Sequence, residues 1–189
     1  MSTLHSALLT ALLAPALVGC DARPEDDTPD AAPDAAPSLQ TLAACPEDDF
    51  APTPFAGPAF DPETGLPLGP LPTPHIVATT AGWARPEPEH QEALGQASGA
   101  VSAAVFESPG LLGVSFGGSQ ACGTARTLSL WADEAALMAF VLGDAHRQAM
   151  PIVPRATLGW ETTHWTEQST APTTWQRARE ALAEARPER

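Results

Sequence analysis

Apolar positions along residues 75–189 recur with a period of about two in some stretches and about 3.6 in others, and each switch marks a new element. His75 to Trp83 reads as a β-rich strand, and Pro86 then marks a turn into a helix. From Pro88 to about Phe106 the residues Leu94, Ala97, Val101, Ala104 and Val105 fall at helical spacing, although Gly95 and Gly99 weaken the run by about 1 kcal/mol each. Ser108-Pro109-Gly110 stops it. Leu112, Val114 and Phe116 alternate as one face of a second strand, and Gly117-Gly118-Ser119 opens a loop towards a third strand at Thr124 to Trp131, so the two form a hairpin. Asp133 is placed to cap a helix reaching about Met150, with Leu137, Phe140, Val141 and Ala145 as its apolar stripe and Pro151 and Pro154 beyond its end. A fourth strand from Leu158 to Thr166 is rich in Thr and Trp, and a final helix after Pro172 places Trp175, Ala178, Leu182 and Ala185 on one side. The predicted class is α+β: a ferredoxin-like β-α-β-β-α-β antiparallel sheet with helices on one face and an extra C-terminal helix. The second face of that sheet still needs a cover.

Upstream of residue 75 the pattern changes. An apolar run from Ala7 to Val18 ends in Leu17-Val18-Gly19-Cys20, too short to cross a bilayer and followed by a Pro/Asp-rich flank. It resembles a bacterial lipoprotein signal peptide with its lipobox. That resemblance implies that residues 1–20 are a leader and that Cys20 becomes the lipidated first residue of the mature chain. The protein is then expected in the cell envelope, lipid-anchored to a bacterial membrane, with its domain in the periplasm or at the cell surface. No Lys or Arg precedes the run, which leaves only the α-amino group and His5 as positive charge. An ordinary signal peptide or an uncleaved anchor are the alternatives.

Residues 21–74 carry thirteen of the twenty-one prolines, interleaved with Asp, Ala, Thr and Gly, and few large aliphatics before Leu66. Such a stretch buries too little surface to offset its ordering entropy, so it reads as a disordered, self-repelling spacer ahead of a domain at 75–189. Phe50, Phe55 and Phe60 recur every five residues and could instead pack on the domain. With Cys20 taken by lipid, Cys45 and Cys122 remain, and an even remainder in an exported chain suggests a disulfide, two free thiols being the alternative. The bridge would pin the end of the spacer to the domain and contribute roughly 4 kcal/mol in the chain-entropy model.

Charge follows the same division. Residues 21–74 hold eleven acids and one Arg, a balance of −10; residues 75–189 hold twelve acids and eight Arg, a balance of −4, which together give the net −14. A negative chain without Lys offers no electrostatic footprint for nucleic acid and is repelled by an anionic membrane surface, so the lipid must hold it there.

Within the domain, Thr127-Leu128-Ser129-Leu130-Trp131-Ala132-Asp133-Glu134-Ala135, then Phe140, then Gly143-Asp144-Ala145-His146, then Trp160 to Trp165, resemble the antibiotic-biosynthesis-monooxygenase-like group of dimeric α/β barrels. The likeness spans nearly all of residues 75–189. It implies a homodimer in which two sheets pack face to face, with the open sheet face lining an apolar pocket for a small apolar or aromatic ligand. Cofactor-independent members oxidise phenols or quinols with O2. The haem-degrading members use an Asn, a Trp and a His; this chain has no Asn, and the positions matching their Trp and His hold Phe140 and Met150. The resemblance thus leaves an oxygenase-like enzyme without a resident cofactor, or a non-catalytic binder of haem or another apolar ligand.

Candidate residues follow from residue chemistry. His146, in the last turn of the second long helix, is a candidate base or haem ligand, set against a plain helix-dipole role. Arg126 alternates with Leu128 and Leu130, which points it inward as an anion or carboxylate anchor, or outward as a solvated strand end. His164 shares a strand face with Trp160 and Thr162. Catalysis is expected from His146, Arg126 and His164, and ligand or cofactor stacking from Trp131 and Trp160. Gly113-Val114-Ser115-Phe116-Gly117 matches the G-x-S-x-G nucleophile elbow, but Ser115 lies inside an alternating strand rather than at a strand-to-helix turn.

Overall fold

The four strands of the sequence pattern form one antiparallel sheet, joined by a short fifth strand, in a computed structural model that describes residues 36–186. In chain order the elements are α1 (Leu39–Ala43), β1 (Ala51–Pro52), β2 (His75–Ala84), α2 (Pro88–Phe106), β3 (Leu111–Ser119), β4 (Thr124–Trp131), α3 (Glu134–Val141), α4 (Asp144–Ala149), α5 (Val153–Ala156), β5 (Thr157–Glu167) and α6 (Trp175–Ala185). The sheet order is β1-β3-β4-β2-β5, and every neighbouring pair is antiparallel. Without β1 this is the ferredoxin-like β-α-β-β-α-β arrangement. The expectations for the leader, for Cys20 and for residues 21–35 lie outside the described residues. No helix among those described is long and apolar enough to cross a membrane.

Side chains alternate across the sheet except at a bulge at Leu112 in β3, which turns Leu112 to the arm side while Val114 and Phe116 face the helices, and at a register shift between Trp83 and Ala84. Ile76, Val114 and Trp131 face the layer built by α2 and α3, where Val105 and Leu137 meet them. Val77, Leu128 and Leu130 face the other way, as do Ala81 and Trp83. The single helix expected from Asp133 to Met150 is two helices. Asp133 caps α3 by accepting from the Ala136 N–H at 2.8 Å. The chain then breaks at Leu142 and restarts from Gly143 in an extended conformation, because glycine is among the poorest residues in a helix interior.

The expectation of a disordered spacer reaching residue 74 is corrected from residue 36 onward. Residues 36–74 belong to the same compact unit as the rest of the described chain and cover the second face of the sheet. Phe60 and Leu71, 2 % and 3 % exposed, join Val77, Leu128, Leu130 and Ala178 of α6 in one apolar cluster. Leu39 and Leu42 of α1 pack with Trp83 and Leu182 in another. The arm is Pro-rich, but its few large residues fall where the sheet is bare. A β-carbon on Gly113 would lie 2.3 Å from the Phe60 ring, one on Gly117 would lie 2.5 Å from Phe50, and one on Gly159 would lie 2.6 Å from Leu39. Missing side chains on the strands are therefore the seats of the arm's side chains.

Hydrogen bonds and a covalent link fasten the arm. Cys45 is disulfide-bonded to Cys122 in the β3–β4 hairpin, 77 positions away, with Cα atoms 6.0 Å apart. Asp49 accepts from the Ser119 hydroxyl and from the Ala121 N–H. Ser115 donates its hydroxyl to the Thr53 carbonyl at 2.6 Å, so the G-x-S-x-G segment is a docking track for the arm, with its serine used up in holding backbone.

Candidate functional site

The candidate residues do not converge. Arg126 stands opposite Ala81 on the arm-covered face, whereas His164 stands opposite Ala78 on the helix-side face. His146 sits on α4, outside the sheet altogether. Trp131 and Trp160 share the helix-side face, but their neighbours on β2 are Ile76 and Gly82, so about 20 Å of strand separates them. Trp131 is fully buried with its indole N–H donated to Ser129, and Trp160 is 43 % exposed. The expected catalytic set of His146, Arg126 and His164, and the expected stacking pair, are thus dispersed. The physical cause is strand alternation combined with the arm, which fills the sheet face where a pocket was anticipated.

Two concave places remain. The first is a half-open cleft of about 410 Å³ between the end of α2, the Ser108–Gly110 turn, α3 and α4. Its wall is mostly small and apolar, with Ala104, Ala136 and Ala139 around Phe140, and Asp133, Asp144 and His146 supply its polar groups. Phe140 stacks on Trp131 at 5.2 Å between centroids and meets the edge of the His146 ring at 5.5 Å, which links the cleft to the core. The Nδ1 of His146 is buried without a hydrogen-bond partner among the described residues. Burial pushes the His146 imidazole below its ordinary value of 6.5, with the Val141 backbone opposing, so the ring is neutral at neutral pH.

Haem does not suit this cleft. Its propionates would meet the carboxylates of Asp133 and Asp144, and the arginine at hand, Arg147, is already engaged by Asp144. Among the described residues no group of three or more His, Cys, Asp and Glu side chains is placed to hold a metal ion.

The second place is the ion cluster beneath the arm. Glu47, 6 % exposed, accepts from the Thr124 hydroxyl at 2.6 Å and from Arg126 Nε at 2.9 and 3.0 Å. Arg179 of α6 adds contacts at 3.0 and 3.2 Å. Burial alone would raise the Glu47 pKa, but the Thr124 hydroxyl and the Arg126 and Arg179 guanidiniums outweigh it and hold the carboxyl below its ordinary value of 4.5. Arg126 therefore does point inward and does anchor a carboxylate, one supplied by the arm of its own chain. Sequence reasoning missed Glu47 because the residue lies in a run of acids, Glu47-Asp48-Asp49, that reads as solvated. Its proximity to Cys45 was the available signal.

His164 is exposed and lies 3.8 Å from Glu134, with no other ionisable partner in that pair. Such an open contact supplies little energy.

No protein-family model matches the chain, and no curated protein matches it. Among solved structures, the chain is similar to a conserved protein from Methanosarcina mazei Go1 at 12 % identity, covering 50 % of this chain and 94 % of that one with a TM-score of 0.45. It is similar to SnoaB, a cofactor-independent oxygenase from Streptomyces nogalater, at 11 % identity, covering 53 % and 100 % with a TM-score of 0.44. It is similar to Rv0793 from Mycobacterium tuberculosis at 12 % identity, covering 50 % and 96 % with a TM-score of 0.46.

Proposed function

We propose that this chain is an envelope lipoprotein, anchored through Cys20, whose domain binds a small apolar or aromatic ligand in the cleft beside Phe140 and His146. One observation carries the reading: the sheet face is filled by the arm, and the 410 Å³ cleft is the apolar-walled concavity left open to solvent. Its volume falls in the usual range for small-molecule sites, and its few polar groups stand at its edge. Asp144 is paired with Arg147 and Asp133 caps α3, so the rim carries little free charge and the ligand is a neutral one. The dispersal of His146, Arg126 and His164 favours binding without turnover.

Trp131, stacked on Phe140, reports on occupancy. Titration with neutral aromatics should change Trp fluorescence saturably, and Ala139→Trp, which fills the cleft, should abolish the response while Trp160→Phe leaves it intact. No saturable change with any aromatic would remove the binding reading. Anchoring is tested by fractionation: the intact chain should sediment with membranes, and Cys20→Ala should not.

An oxidising reading retains one supporting feature, the neutral His146 at the cleft wall, which can accept a proton from a bound quinol. It predicts O2 uptake with hydroquinones that is lost in His146→Ala. Arg126 has no part in it, being buried under the arm on the opposite side of the sheet.

A further inference from the structure

We propose that Arg126, Thr124 and Arg179 form a carboxylate-binding site in its own right, filled in this state by the chain's own Glu47, and that a carboxylate-bearing small molecule competes with Glu47 for it. The site lies on the arm-covered face and is independent of the Phe140 cleft.

The geometry is that of a ligand seat. Two guanidiniums and a hydroxyl from two separate elements, β4 and α6, converge on a single planar carboxylate. Arg126 is itself 8 % exposed, and its guanidinium lies 5.9 Å from the centre of the Trp83 ring, so it is held in place from behind. Arg179 is braced in the same way, 4.2 Å from the Phe50 ring. The carboxylate, by contrast, is delivered by a two-residue excursion of the arm between Cys45 and Asp48. There Glu47 adopts a φ of +51°, a conformation that residues with side chains seldom take. The backbone bends to the site, whereas the site is built into strand and helix.

Space continues beyond Glu47. A cavity of about 370 Å³ runs from the carboxylate past Ala43, Ala183 and the Arg186–Glu161 pair, whose nitrogen–oxygen contacts are 2.8 and 3.0 Å. Glu161 is satisfied by Arg186, whereas Glu180, the other carboxylate on the wall, is exposed and held only by Gln176 at 3.0 Å and by Arg177 at 4.0 Å, which disfavours acids carrying a second charge. Ala43, Pro46 and Ala183 give part of the wall an apolar surface beside the planar two-oxygen seat, which suits a short aliphatic or aromatic acid. A free phosphate presents a tetrahedral set of oxygens to a seat that holds one planar pair.

The test uses the intact chain with Glu47→Ala, which empties the seat while keeping the disulfide. Acetate and benzoate should raise its melting temperature saturably, by about 3 °C, relative to chloride or phosphate at matched ionic strength. The double variant Glu47→Ala/Arg126→Gln should show no such rise, and the parent chain a smaller one reached only at higher acid concentration, because Glu47 competes for the seat. If acetate and benzoate act no differently from chloride on folded Glu47→Ala, the cluster is an internal ion pair only and the proposal fails. Should Glu47→Ala not fold, Cys45→Ser/Cys122→Ser with Glu47 intact carries the test. Benzoate must then speed hydrogen exchange over residues 45–50 by displacing Glu47, and unchanged exchange overturns the proposal equally.

Discussion

Phe60 brings one edge of its ring over Gly113, so close that a β-carbon on the glycine would stand 2.3 Å from the ring. Seating an aromatic from a Pro-rich arm on a bare stretch of strand joins the arm to the core of the domain. Gly113→Ala should therefore destabilise the protein by about 1–3 kcal/mol, because the ring must move or the strand must yield. Urea unfolding followed by Trp fluorescence would check it. No loss of stability would mean that the arm gives way freely.

The opposite result is expected on α2. Gly95 and Gly99 are exposed, and a β-carbon at either meets nothing within 4 Å. Gly95→Ala and Gly99→Ala should each stabilise by about 0.5–1 kcal/mol, through helix propensity and a less flexible unfolded chain. Thermal melts of the two single variants would show it.

Glu47 makes stability depend on acid. Its folded pKa lies below the ordinary 4.5, so its contribution is complete above 4.5 and is lost as pH falls through the folded value. Glu47→Gln should cost about 3 kcal/mol at neutral pH, the usual penalty for leaving a buried charge such as Arg126 unpaired. The gap to the parent should narrow as the solution is acidified below 4.5. Unfolding free energies measured across that range would reveal a parallel offset if Glu47 were not ionised in the native state.

Opening the Cys45–Cys122 link frees a loop of 77 residues, and Cys45→Ser/Cys122→Ser should lose about 4 kcal/mol in the chain-entropy model. Calorimetry would detect this as a drop of roughly 10 °C in Tm. A much smaller drop would show that Asp49, Thr53 and Phe60 hold the arm without it.

His146 sets a second pH dependence of the same sense. Its folded pKa is below 6.5, so the native state is favoured above 6.5 and loses ground as pH falls towards the folded value, where the unfolded ring is already charged. His146→Gln should remove that slope, and NMR titration of the ring should place its midpoint below 6.5.

Much of the sheet was legible because its strands are punctuated. The period-two run of β4 and the helical run of α2 keep the bounds expected at Thr124–Trp131 and Pro88–Phe106, and β2 and β5 extend theirs by a residue or so. The arm was not legible, since its contacts pair single residues with glycines far along the chain, Phe60 with Gly113 and Leu39 with Gly159, and no local period records such a match. The spacing of Phe50, Phe55 and Phe60 and the position of Cys45 were faint signs of it. Alternation left Arg126 open between an inward anchor and a solvated strand end, and the partner that decides it, Glu47, came from the stretch that composition marked as solvent-exposed. His146, His164 and Trp160 could be assigned to elements but not to a common site, because sheet face and layer depend on which strands neighbour each other.

The short strand β1 also changes what the molecule offers to other chains. Ala51 and Pro52 pair with Gly118 and Gly117 along the outer side of β3, with Thr53 and then Pro54 after them. Beyond them the Thr53, Ala56 and Ala59 N–H groups donate to the Phe116, Val114 and Leu112 carbonyls, so the arm occupies the edge that a bare β3 would present to a passing strand, and its own Pro52, Pro54 and Pro58 have no N–H to give. The composition that looks like a flexible tether thus acts as a terminator. It leaves β5 as the border of the described sheet where a further strand could still be added.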